Sequence, residues 1–141
     1  MNTIINLLEG RELFTVQTGN SIIKTVLYMA EKGVGLVAVM QEDKLVGVFS
    51  ERDLVKRVIA KGKSIENTTV NEVMSKNLVV AQSSEPSESV LAKMKEAKIR
   101  HILIVEDDKL IGILSMRDLL ELDLTSCKTT VQVLNNYIYS K

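Results

Sequence analysis

GVFSERDLV, residues 47–55, is repeated 65 residues later as GILSMRDLL, residues 112–120. When residues 26–54 are aligned with residues 91–119, ten of the twenty-nine positions are identical. A unit of about 60 residues buries its core poorly by itself. The duplication therefore predicts two similar copies that pack on each other.

Both copies have the same order of predicted elements. A short strand, at 14–16 or 78–81, precedes a stretch with helical apolar spacing. Two apolar runs joined by QEDK or EDDK then favour an antiparallel hairpin with a four-residue polar loop. A second helix should start near Glu51 or Met116, and a further short helix is expected around 70–74. The predicted fold class is α/β (α+β), with two tandem strand-helix-strand-strand-helix repeats packed as a pseudo-two-fold pair.

The domain organisation follows from this repeat. Residues 1–141 are expected to form a single module, with repeat one at about 12–62 and repeat two at about 77–124. The flanking segments 1–11 and 125–141 are amphipathic. Their apolar faces need a partner surface, on the same chain or on a second one.

Composition limits the classes of function. The chain has 45% hydrophobic residues, 4% aromatic residues and no formal net charge, so nucleic-acid binding is not expected. Cys127 and His101 are each the only residue of their type, so no disulfide within the chain and no Cys/His metal site are expected. The first twenty residues carry acidic groups and no long apolar block, which predicts no signal peptide, no membrane contact and a cytoplasmic location.

The Ser-x-Arg-Asp part of the repeat has a purely structural interpretation. Ser50 and Ser115 stand where a strand becomes a helix, so each is a candidate N-cap. Asp53 and Asp118 follow three residues later, at the acid position of a capping box. Capping, however, requires neither the arginine nor the glycine of the pattern.

The same residues also suit a ligand site. A helix N-terminus offers free N–H donors and a positive dipole end to a phosphate, and a carboxylate on its first turn can accept both hydroxyls of a ribose. Arg52 and Arg117 add planar, charged donors for phosphate oxygens. Gly47 and Gly112 within strands predict a bulge or a close approach to the backbone. Together these features indicate a pocket for a ribose phosphate.

The duplicated Gly-apolar-apolar-Ser-x-Arg-Asp pattern resembles the CBS domain, and two copies resemble the tandem pair called a Bateman module. The resemblance covers roughly residues 12–123, and the chain is similar to small stand-alone bacterial members of the family. The family's usual Pro in the first hairpin strand is replaced by Ala38 and Leu103. The resemblance implies a regulatory homodimer that binds AMP, ADP, ATP, NAD or S-adenosylmethionine in clefts between the repeats. It implies no required cofactor, no metal and an unidentified regulated protein.

The resemblance also implies roles for individual residues. In such proteins the motif Asp holds the ribose, the motif Ser and Arg approach the phosphate, and an apolar neighbour faces the base. On this chain the corresponding residues are Val48, Ser50, Arg52 and Asp53 in one cleft, and Ile113, Ser115, Arg117 and Asp118 in the other.

The two clefts are not expected to be equal. In the family, basic residues before the first hairpin strand often cross over to help the other copy's Asp. Arg100 and His101 stand there in the second copy, whereas Gly35 and Leu36 occupy the matching positions of the first. The cleft built from Asp53 with Arg100 and His101 is therefore predicted to be the better phosphate site.

Two other classes of function remain open at this point. The chain could be a ligand-free dimerisation or interaction scaffold, or a small nucleotide-processing enzyme. The second is disfavoured because the sequence contains no nucleophile elbow, no Walker loop and no paired His and Cys, so no catalytic residue is predicted. A basic run is most simply a solvated helix face; it consists of Lys56, Arg57, Lys61 and Lys63.

Overall fold

The computed structural model describes residues 4–126, which fall into two compact units, residues 13–78 and residues 79–126 together with 4–12. Each unit contains one three-stranded sheet with helices, which confirms the predicted α/β class. The predicted C-terminal segment lies outside the described residues from residue 127 onward. The elements are α1 (Ile4–Leu8), β1 (Thr15–Gln17), α2 (Ile22–Lys32), β2 (Leu36–Gln41), β3 (Lys44–Ser50), α3 (Glu51–Asp53) continued by a π-helix (Leu54–Ile59), α4 (Val70–Val73), β4 (Val80–Gln82), α5 (Ser87–Ala97), β5 (His101–Glu106), β6 (Lys109–Ser115) and α6 (Met116–Ser126).

The two sheets have the same topology. In the first sheet β2 lies in the centre, parallel to β1 and antiparallel to β3, and in the second sheet β5 has the same relation to β4 and β6. The hairpin loops contain two residues each and not the predicted four, because Gln41 pairs with Lys44 and Glu106 pairs with Lys109. The polar residues at the ends of QEDK and EDDK therefore extend the strands.

The helices begin close to the predicted positions, with one difference in type. Helices start at Glu51, Met116 and Val70 as expected. After α3 the helix widens into a π-helix, in which the Ala60 N–H donates to the Val55 carbonyl at 2.9 Å. The equivalent stretch of the second repeat is an ordinary α-helix, so this π segment distinguishes the two repeats.

Each unit has its own apolar core. In both sheets the central strand is buried over three consecutive residues, which fits a strand covered on both faces. The first core contains Val16, Ile22, Met29, Val37, Val39, Phe49, Val58, Val70, Val73 and Met74. The second contains Ile4, Ala81, Val90, Leu91, Met94, Ile102, Ile104, Leu114 and Leu119.

The N-terminal segment packs with the second repeat, although it precedes the first repeat in the chain. Ile4 of α1 is buried in the second core, and Leu7 and Leu8 pack against that core. The apolar face predicted to need a partner surface therefore finds one on the same chain.

The two strand glycines lie where another segment approaches closely. A β-bulge occurs beside each, since the strand register shifts next to the pairs Val39–Gly47 and Ile104–Gly112. A Cβ atom on Gly47 would lie 2.9 Å from the carbonyl oxygen of Ser75, and one on Gly112 would collide with the side chain of Leu8. Both predicted features, the bulge and the close approach, are confirmed, and the approaching groups belong to the chain itself.

Candidate functional site

The first Ser-x-Arg-Asp motif joins β3 to α3. Asp53 Oδ2 accepts hydrogen bonds from the backbone N–H and from the hydroxyl of Ser50, both at 3.0 Å. In return the Asp53 N–H donates to Ser50 Oγ at 3.2 Å. This reciprocal pair is the predicted capping box. It holds the carboxylate in one orientation at the start of the helix.

The second motif repeats this geometry where β6 meets α6. The Ser115 N–H donates to Asp118 Oδ2 at 2.8 Å, and the Asp118 N–H donates to Ser115 Oγ at 3.1 Å. The capping interpretation is therefore confirmed for both copies. Both aspartate side chains are mostly buried, with 14% of Asp53 and 18% of Asp118 exposed.

A second arginine, outside the motif, approaches Asp53. Arg57 lies one turn further along the helix, with its Nε 3.4 Å from Asp53 Oδ1. Its Nη1 also donates to the carbonyl oxygen of Met74 at 3.2 Å. Arg57 thus does more than form part of the solvated helix face predicted for it.

Asp118 is paired with an arginine from a different part of the chain. The position equivalent to Arg57 is Leu122, which is buried and cannot supply a charge. Instead Arg11 donates from Nη1 to Asp118 Oδ2 at 3.0 Å and from Nη2 to Oδ1 at 2.9 Å. The sequence analysis missed this residue, because the motif itself gives no sign that its Asp pairs with a residue 107 positions earlier.

The pairing controls the charge of Asp118. Burial by itself would raise the pKa of this carboxyl, but hydrogen bonds from Arg11 and Ser115 outweigh it and lower the pKa from 3.8 to about 2. The hydrogen bond with Asp118 also raises the pKa of Arg11. Both directions indicate a pair in which the two groups stay charged at neutral pH.

The motif arginines are exposed, in contrast to the motif aspartates. Arg52 is exposed, and the side chain of Arg117 is 87% exposed. Arg117 Nε lies 3.4 Å from Glu121 Oε1, an ion pair that contributes little at this exposure. Neither capping box requires its arginine. Because both arginines are exposed, their guanidinium groups are accessible to an anion in solvent.

Val48 and Ile113, expected to face a base, are half-buried strand residues. The N–H and C=O of Val48 are both hydrogen-bonded to the backbone of Ser75, at 3.0 and 2.8 Å. A base could therefore meet the side chain of Val48 but not its main-chain polar groups. The role of both residues stays a prediction.

Arg100 and His101 lie at the start of the second hairpin. His101 pairs with Ser115 across the hairpin, and the carbonyl oxygen of Arg100 accepts from the Met116 N–H at 2.8 Å. Arg100 is exposed and His101 is half-buried. The backbone of both residues is therefore held within their own repeat, beside its capping serine. The prediction that they serve Asp53 stays a prediction.

Two other kinds of feature are absent from the described part of the chain. Over residues 4–126, no three His, Cys, Asp or Glu side chains come together in a way that could hold a metal ion. Among the helices of the same range, none has the length and apolar character needed to cross a membrane.

Comparison with known proteins gives the family. The CBS-domain model matches residues 8–60 and 70–124, together more than half of the chain. The chain belongs to the CBS-domain family. This CBS-domain protein is 31% identical over 108 residues to the CBS domain-containing protein YhcV of Bacillus subtilis, a match covering 77% of this chain and 76% of YhcV.

Several relatives are longer than this CBS-domain protein. A match at 30% identity covers 80% of the chain and 59% of the uncharacterised protein MK0525 of Methanopyrus kandleri. Another, also at 30%, covers 82% of the chain and 36% of the arabinose 5-phosphate isomerase KdsD of Francisella tularensis. The chain thus spans between about a third and three fifths of the length of these two curated relatives.

Solved structures agree with the tandem CBS fold. The CBS-domain structure of NE2398 superposes with a TM-score of 0.81 at 28% identity, covering 88% of this chain and 99% of that one. The CBS domain protein PAE2072 of Pyrobaculum aerophilum, complexed with AMP, gives a TM-score of 0.75 at 25% identity and covers 87% and 98%. These matches confirm the fold predicted from the duplicated motif.

Proposed function

We propose that this CBS-domain protein is a regulatory module that binds an adenosine-containing nucleotide through its Ser-x-Arg-Asp motifs. The observation that carries the proposal is that the three polar residues of each motif do not all serve the helix cap. The capping box uses only the Ser and the Asp, while the Arg is exposed and contributes nothing to the cap. The AMP complex of PAE2072 supports the choice of ligand class.

The chemistry of each motif fits a ribose phosphate. A capped, charged carboxylate such as that of Asp53 can accept hydrogen bonds from ribose hydroxyls. The guanidinium of Arg52, one position earlier, can donate to phosphate oxygens in a charge-assisted pair. The half-buried side chain of Val48 offers an apolar contact to the base. AMP is the first candidate, with ADP, ATP, NAD and S-adenosylmethionine as the other members of the class.

Ligand-dependent stabilisation tests this proposal. At a hundred times its dissociation constant a ligand adds about 2.7 kcal/mol to stability, so the melting temperature of the purified protein should rise by about 5–10 °C. We expect this rise with AMP or another adenine nucleotide and not with GTP at the same concentration. No shift with any adenosine ligand would favour the ligand-free scaffold instead. Equal shifts with AMP and GTP would contradict the selectivity for adenosine.

The module is proposed to act by regulation and not by catalysis. The output of such a module is a ligand-dependent preference for one of two states, and that bias cannot exceed the difference in ligand affinity between them. A regulated protein would recognise one of these states. If pure protein consumes AMP during prolonged incubation, as judged by chromatography of the nucleotide, the non-enzymatic assignment is wrong.

We also propose that two chains form a homodimer through the second helices of the repeats. Val55 and Leu120 occupy equivalent positions of the repeats and are 60% and 47% exposed, so each repeat presents a large apolar side chain at the same place on its second helix. Sedimentation equilibrium should give a mass near 31 kDa, twice the 15.7 kDa of one chain. Combining Val55→Glu with Leu120→Glu should give 15.7 kDa, while Lys56→Glu should leave the dimer intact. A wild-type protein that sediments as a monomer contradicts the proposal.

A further inference from the structure

Arg11 reaches Asp118 from an anchored segment. Helix α1 is fixed by Ile4, which is buried in the core of the unit, and by Leu8, whose side chain fills the space that Gly112 leaves open. The chain then turns at Gly10, which has a φ of 74°, and the Arg11 N–H donates to the Leu8 carbonyl at 3.1 Å. The guanidinium of Arg11 is therefore held in a defined position beside Asp118.

The hydrogen bonds at Asp118 leave little room for a ribose. A carboxylate offers about four lone-pair positions, two on each oxygen. At Asp118 the Ser115 N–H takes one position of Oδ2, and Arg11 takes one on Oδ2 and one on Oδ1. About one position remains, whereas a ribose diol donates two hydrogen bonds.

Asp53 differs in this respect. Both positions of its Oδ2 are used by Ser50, through the N–H and the hydroxyl. Among the described residues, its Oδ1 is approached only by the Arg57 Nε at 3.4 Å, which is long for a hydrogen bond. Asp53 Oδ1 can thus accept hydrogen bonds from two ribose hydroxyls. Asp118 can accept both only if Arg11 moves away from its carboxylate.

We propose that Arg11 decides which of the two motifs accepts a ribose, by competing with the ligand for the carboxylate of Asp118. The inference rests on the proposed function of the motifs. Arg11 is thus a specificity-determining residue that belongs to the N-terminal segment and not to the motif. The ion pair is partly exposed, with 42% of the Arg11 side chain accessible, so a ligand can displace it at an affinity loss of about fivefold.

Calorimetric titration with AMP tests the competition. All proteins in this titration carry Asp53→Asn. This substitution removes AMP binding at the first motif, so the measured affinity is that of the second. Adding Arg11→Gln, which removes the charged guanidinium, should tighten AMP binding by about fivefold. Lys109→Gln, which removes a positive charge from the exposed first residue of β6 in the same unit, is the matched control and should change nothing.

The outcomes distinguish failure of the competition by Arg11 from failure of the proposed nucleotide binding. If the wild-type protein binds AMP and Arg11→Gln gives no gain in the Asp53→Asn background, the competition is overturned and the proposed function stands. If neither the wild type nor any variant binds AMP or another adenosine ligand, both are overturned. If Lys109→Gln tightens AMP binding as much as Arg11→Gln does, the effect comes from the change in net charge, and the competition is also overturned.

A second readout needs no ligand. The pKa of the Asp118 carboxyl, measured by NMR titration, should be about 2 in the wild type and should rise towards 3.8 in Arg11→Gln, because the charged hydrogen bonds are lost. An unchanged Asp118 pKa would mean that Arg11 does not hold the carboxylate in solution, and the proposal would fail.

Discussion

Replacement of Asp53 by Ala should weaken AMP binding at the first motif by about a hundredfold. In the proposed complex its carboxylate accepts two ribose hydroxyls, and hydrogen bonds to a charged group contribute about 1.5–3 kcal/mol each. A loss of about 3 kcal/mol corresponds to about a hundredfold in affinity, since each 1.4 kcal/mol is about tenfold. Calorimetric titration of AMP into the wild type and the variant measures this ratio directly.

A matched control separates binding from capping. Asp53→Ala also removes a capping box, which costs about 1 kcal/mol of stability. Glu72 is the acid of another capping box in the same unit, where its Oε2 accepts from the Thr69 N–H at 2.6 Å and from the Thr69 hydroxyl at 2.8 Å. Glu72→Ala therefore removes a similar cap and should leave AMP affinity unchanged. Equal losses of affinity in the two variants would mean that Asp53 acts only through the fold.

Most of the fold was predictable because the sequence pattern of one repeat occurs twice in the chain. Turn clusters, apolar periodicity and the Ser-x-Arg-Asp motif recur at one spacing, so an ambiguous signal in one copy is supported by the other. The hairpin loops were predicted too long because QEDK and EDDK are polar throughout, and polarity does not separate a loop from the exposed end of a strand. Their outer residues, such as Gln41 and Lys44, pair as the last rung of the ladder.

The site was predictable only to the extent that it is local. The reciprocal bonds of Ser50 with Asp53 follow from a spacing of three residues at a helix start, and both were predicted. The π-helix after Asp53 was not, because its sequence has no feature that an α-helix would reject. The partner of Asp118 was not predicted either, since the link to Arg11 depends on how the N-terminal segment packs.

The strand glycines give the second large effect, and they allow a comparison between the repeats. In Gly47→Ala the new methyl group would meet the Ser75 carbonyl at 2.9 Å, together with the side chain of Met74. Ser75 cannot move aside easily, because two backbone hydrogen bonds with Val48 hold it at 2.8 and 3.0 Å. We expect a loss of about 3 kcal/mol, at the upper end of the usual cost of overpacking. Urea unfolding followed by circular dichroism measures it as a lower midpoint.

Gly112→Ala makes the same chemical change at the equivalent position, but the neighbour that must move is different. There the three atoms nearest to the methyl group all belong to the side chain of Leu8, which is part of the five-residue helix α1. Displacing so short a helix relieves the clash, so the midpoint should fall by less than half as much as in Gly47→Ala. Amide hydrogen exchange should become faster in residues 4–12, because the displaced α1 loses its packing against the core. Because α1 delivers Arg11, the same variant should raise the pKa of Asp118. A midpoint as low as that of Gly47→Ala, with exchange in residues 4–12 unchanged, would show that Gly112 is constrained by the sheet and not by the N-terminal helix.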